Sequence, residues 1–148
     1  MKKNLIRVLV VSLFAIGLYF VASHLTQPNT EQGEKEITII ISIDTAEEQK
    51  EVVKKTFRTD AEFLSEALDE AVEKGFFSLK VDGKKDDPYG RFIVGFNEYE
   101  TKDMSAGPWW TFDSTTNESC VTAGFCSGID LTPVYDQDVF EFIFKDTF

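Results

Sequence analysis

The side chains that could do covalent chemistry are few in this sequence. Its one histidine, His24, sits just after an apolar run. No Ser-His or Cys-His arrangement can therefore form in the region that follows. The two cysteines, Cys120 and Cys126, have five residues between them. Without a nearby His or a second pair they cannot build a structural zinc site. In an exported chain such a close pair closes a small loop as a disulfide; the alternative is two reduced, independent small hydrophobes. No Gly-rich phosphate loop of known spacing occurs. Acidic residues abound, but a glycosidase needs two carboxylates held across a groove in a defined geometry, and a domain of this size seldom builds one. Asp113-Ser-Thr-Thr-Asn117-Glu118 places oxygen donors at alternate positions, yet lacks the central Gly and terminal bidentate Glu of a calcium loop, so it reads as a solvated loop. Asn117-Glu-Ser119 matches a glycosylation acceptor by chance. The expectation is a protein that is not an enzyme and holds no metal or cofactor.

Recognition by aromatic faces is better provided for. The chain has 14 Phe, 4 Tyr and 2 Trp. Trp109 and Trp110 are adjacent, so in a strand they point to opposite faces and only one can enter a core. The other is exposed, lies under a loop or meets a ligand. Tyr89, Phe92 and Phe125 join it if a disulfide folds the 120–126 loop back over the sheet edge. Tyr89, Phe92, Trp109, Trp110 and Phe125 are thus the candidate ligand-binding residues. Flat aromatic faces suit corrins, sugars and peptides alike. The competing reading is that the second Trp merely pins the long loop.

These residues need a scaffold, and few Leu with many Phe, Ile and Val favours strands. Ile37, Ile39, Ile41 and Ile43 alternate along one strand face. A weaker strand spans 51–57. Thr59-Asp-Ala-Glu62 has capping-box form and opens a helix with Phe63, Leu64, Ala67, Leu68, Ala71 and Val72 along one side. Gly75 ends it. Strands follow at 77–81, before the Asp82-Gly83 turn, at 91–96, at 109–112 and at 139–144. Residues 113–128 form one long polar loop holding both cysteines. One helix after a first hairpin, packed on a mixed sheet, is an α+β, β-grasp-like arrangement, preceded here by an N-terminal hydrophobic helix.

Lys2, Lys3 and Arg7 precede the apolar run Val8–Ala22, as in a signal peptide. Its core is shorter than the roughly 20 residues of a membrane span, but Leu5 and Ile6 extend it, so a cleaved signal (1–23) and a retained anchor through residues 5–22 both stay open. The polar 24–36 reads as a linker and 37–148 as the domain. Setting those three cations aside from the 15 leaves 12 basic against 26 acidic residues, a net of −14. Such a domain repels phosphate backbones, which excludes nucleic acid.

The segments Pro88-Tyr-Gly-Arg-Phe-Ile-Val-Gly-Phe-Asn97, Gly107-Pro-Trp-Trp-Thr-Phe112, Gly128-Ile-Asp130 and Tyr135-Asp-Gln-Asp-Val-Phe-Glu-Phe142 carry a resemblance. Together with the Ile37–Ile43 strand and the Thr59–Gly75 helix, they resemble the transcobalamin-like C-terminal domain family of secreted or membrane-tethered bacterial domains. That resemblance implies a β-grasp-like fold and a relation to the domain that closes over cobalamin in vertebrate carriers. This chain has no helical partner domain, so it cannot enclose a corrinoid alone. Where the family pattern has a short hairpin, this chain has the long 113–128 loop. The combined expectation is an extracytoplasmic, membrane-anchored or secreted module that binds a small molecule, a corrinoid among the candidates, and serves a membrane transporter component. A cell-surface domain that binds another protein is the alternative.

Overall fold

The computed structural model describes residues 30–147 together with Ser12 and Ile16. The rest of the leader and residues 24–29 of the polar linker lie outside the described residues. Among those residues, no helix is long and apolar enough to cross a membrane.

The first hairpin pairs β1 (Lys35–Asp44) with β2 (Gln49–Thr59) in antiparallel register, Ile37 facing Phe57. Alternation dictates what β1 does: Ile37, Ile39, Ile41 and Ile43 are buried while the residues between them are half-buried. The last strand, β7 (Val139–Lys145), lies parallel to β1, and β6 (Trp109–Asp113) runs antiparallel to β7. The resulting four-stranded mixed sheet has the order β2-β1-β7-β6. The two central strands supply its apolar face, with Phe140, Phe142 and Phe144 of β7 buried beside the β1 isoleucines.

Helix α1 (Leu64–Glu73) packs Leu64, Ala67, Leu68 and Ala71 on that face. It starts five residues later than Thr59. Backbone pairing with Lys35 keeps Thr59 in β2, and Glu66, not Glu62, reaches back to the Phe63 N–H at 3.3 Å. The stop is as the sequence indicates: Gly75 has φ 75°, its N–H donates to Val72 O at 2.9 Å, and Phe76 N donates to Ala71 O at 3.0 Å. That double bond satisfies carbonyls the last turn would otherwise leave open.

The α+β class holds, but there is not one sheet. β3 (Leu79–Asp82), β4 (Phe92–Phe96) and the two-residue β5 (Tyr99–Glu100) form a second, three-stranded antiparallel sheet. Side chains join it to the first. The Trp110 ring packs 4.9 Å from Phe96 and 4.9 Å from Phe144, centroid to centroid, and its Nε1 donates to Tyr99 O at 3.3 Å. Nor is 113–128 all loop. Residues Glu118–Ala123 form a short helix, α2, capped by Asn117, whose Oδ1 accepts from Cys120 N at 3.1 Å.

Candidate functional site

The segment between β3 and β4 carries Tyr89. Gly90 has φ 68°, and a Cβ there would come within 2.9 Å of the Asp130 side chain, so a chain reversal and a close approach both require glycine. The next residue, Arg91, is fixed to Asp130 through its backbone N–H at 2.7 Å and its Nη2 at 2.8 Å. With the backbone pinned from behind, the Tyr89 ring is left 86% exposed.

Phe125 is presented by a comparable device. Gly124 closes α2 in the left-handed region (φ 77°), its N–H donating to Cys120 O at 2.9 Å. The chain turns outward there and returns through the Cys120–Cys126 disulfide, leaving Phe125 64% exposed at the apex. The disulfide pairing is thus the one the spacing of the cysteines suggests.

Trp109 and Trp110 do face opposite sides of β6. Trp110 shares the face of Phe112 and belongs to the core margin. Trp109 lies on the side of Thr111, donates Nε1 to Met104 O at 2.9 Å and stacks against Gly107, where a Cβ would be 2.7 Å from the ring.

A groove of about 540 Å³ brings these elements together. One wall is β6, from Trp109 to Phe112. The other is Arg91, Phe92 and Ile93 at the start of β4, and Phe125 to Ile129 with Leu131 closes it. All five aromatic residues singled out in the sequence, Tyr89, Phe92, Trp109, Trp110 and Phe125, line it. Sequence reasoning missed Met104 and Leu131, exposed by 55% and 45% on the same groove. Their only signal is an apolar side chain placed in a loop. It also missed the Arg91–Asp130 tie, because 39 residues separate the partners.

Arg91 is the one charged side chain among the described residues lining the groove. Burial on its own would raise the Asp130 carboxyl, but hydrogen bonds from the Arg91 side chain and backbone outweigh it and bring the pKa down to about 2. The hydrogen bond to Asp130 in turn raises Arg91 against its partial burial. The pair is therefore ionised at neutral pH and internally neutralised, which leaves the groove surface largely apolar.

Within Asp113–Glu118, Ser114 and Asn117 serve the fold. Ser114 Oγ accepts from Asn117 N at 3.0 Å, and buried Asn117 donates Nδ2 to Pro133 O at 2.8 Å and to Asp138 Oδ2. The segment is thus solvated only in part, with Asp113, Thr115, Thr116 and Glu118 exposed and Ser114 and Asn117 buried, and an amide so engaged is not available for glycosylation. Among the described residues no three His, Cys, Asp or Glu side chains gather in a metal-binding group.

No protein-family model and no curated protein matches the chain. Among solved structures, a "putative metal binding protein" from Ruminococcus gnavus is similar, at 26% identity and a TM-score of 0.49, over 75% of this chain and 98% of that one. At that level of superposition the likeness assigns neither a fold nor a ligand.

Proposed function

We propose that this chain is a non-catalytic, extracytoplasmic binding module whose ligand site is the aromatic groove beside β6. One observation carries the reading: Tyr89, Phe92, Met104, Phe125 and Leu131, all exposed large apolar side chains, converge on a single groove. Exposed apolar residues scattered singly need no explanation, whereas a contiguous rimmed patch marks a recognition surface. Glycines, a disulfide and a buried ion pair hold these side chains outward, so their exposure is built into the scaffold.

The disulfide supports an oxidising compartment, and the leader supports delivery there, as a membrane-anchored or secreted domain near a transporter component. The order β2-β1-β7-β6, with the last strand parallel to the first and a helix after the first hairpin, supports the β-grasp-like reading. A corrinoid is the first small-molecule candidate through the sequence resemblance; an open groove of about 540 Å³ would cover one face of it. Titration of the full chain with cyanocobalamin and, separately, with an apolar fluorescent dye tests the site. The expected result is saturable binding of at least one, weakened when Phe125 is replaced by Ser. Failure of dye and cobalamin would remove the small-molecule version of the reading, and the groove itself would fall if extended peptides failed to bind as well.

A further inference from the structure

The main sheet has two edges, and they are built differently. β2 carries Lys50, Glu51, Lys54, Lys55 and Arg58, and its pairing with β1 is interrupted by a register shift at Ile41/Ser42. Charges and irregularities of this kind are how proteins block an edge from pairing with another chain. β6 is far less protected: it reads Trp-Trp-Thr-Phe-Asp, with one charge at its terminal Asp113, its register with β7 is unbroken, and no strand pairs with its outer side among the described residues.

That undefended edge is the wall of the groove. Residues from both faces of β6 line it, Trp109 and Thr111 from one and Trp110 and Phe112 from the other, so the groove follows the strand's rim and not one of its faces. Every second residue of an edge strand turns its N–H and C=O outward. Across the groove, β5 covers only Gly95 and Phe96 of β4, leaving Phe92 and Ile93 without a strand on that side. The opening between the sheets therefore combines main-chain donors and acceptors with apolar pockets, the two requirements for adding an extended peptide to a sheet.

Resting on the groove as the ligand site, we infer that its ligand is an extended polypeptide segment that pairs with β6 as an added strand. The five residues of β6 set the length of the paired stretch. The segment has apolar side chains at alternate positions, taken up by the aromatic walls, and flanking cations. The cations follow from charge complementarity: with 26 acidic against 12 basic residues after Arg7, the domain draws in positive partners and repels acidic ones.

Lys-flanked hexapeptides with Phe or Val at alternate positions test this on the full chain, read by tryptophan emission and calorimetry. Strand addition makes a directional demand that side-chain burial does not. N-methylation of the amides in one alternate register should cost about tenfold or more in affinity, while methylation of the other register leaves binding nearly unchanged. A Glu-flanked counterpart should bind more weakly, the gap narrowing with salt. Equal tolerance of both methylated registers overturns strand addition. Dye or cobalamin binding without any peptide binding overturns the peptide inference and leaves the groove reading intact. Failure of all three probes removes both.

Discussion

A Cβ on Gly128 would lie 2.5 Å from the carbonyl oxygen of Tyr89, closer than real side chains approach backbone. Two loops distant in sequence thus cross with no room for a methyl group, and both run on into the groove. The Gly128→Ala chain should lose about 1–3 kcal/mol of stability, several degrees in Tm, together with most dye or peptide binding. An unchanged Tm would show that the crossing yields freely. Gly124→Ala provides a comparison, since nothing lies within 4 Å of a Cβ there and its cost is limited to backbone strain at φ 77°.

Asp130 gives stability a pH signature. Its carboxyl sits at about 2 in the folded chain, against about 3.9 when unfolded. Its folded pKa is depressed, so the contribution is complete above the unfolded value and lost as pH falls from about 4 toward 2, an amount of about 2 kcal/mol. Asp130→Asn should therefore be destabilising at pH 7 by about 2–4 kcal/mol, since it also strands a partly buried Arg91. Urea unfolding of both chains should show the gap shrinking between pH 4 and pH 2. A gap constant over that range would mean that charge is not what Asp130 supplies.

The two tryptophans should separate cleanly. Trp110→Ala removes packing on Phe96 and Phe144, and the expected cost is about 2–4 kcal/mol. Trp109→Ala removes a ring lying on Gly107 at the groove, with an expected cost of about 1 kcal/mol and a clear loss of ligand affinity. Equal large losses of stability would place both rings in the core.

Cutting the disulfide should affect the site more than the fold. Cys120→Ser with Cys126→Ser frees a loop of five intervening residues, worth about 2 kcal/mol in loop entropy, and releases Phe125 from the rim. Thermal unfolding and dye titration, with and without reductant, should show wild type under reducing conditions matching the double variant. The oxidised chain should be about two hydrogens lighter by mass than the reduced one.

Local rules made much of this legible. The alternating isoleucines of β1, the Gly75 stop, the close cysteine pair and the opposed Trp109 and Trp110 all follow from periodicities of two or 3.6 and from φ requirements of single residues. The helix starts later than its local pattern indicates because Thr59 satisfies two such patterns, and only its pairing with Lys35 decides for strand over cap. The short helix α2 stayed hidden because Asn117 reads as a loop polar residue until Pro133 and Asp138 close around it.

The aromatic set was likewise nameable residue by residue, but its convergence was not. The sequence by itself determined an acidic chain of strands and one strong helix, poor in catalytic groups and rich in aromatic faces. That the strands divide into two sheets, that the gap between them runs along an undefended β6, and that Arg91 and Asp130 lock the wall were decided by tertiary structure. The reason is physical. Edge and centre, and wall and core, are properties of which strands become neighbours, and contacts over tens of residues settle that by burying whole faces together.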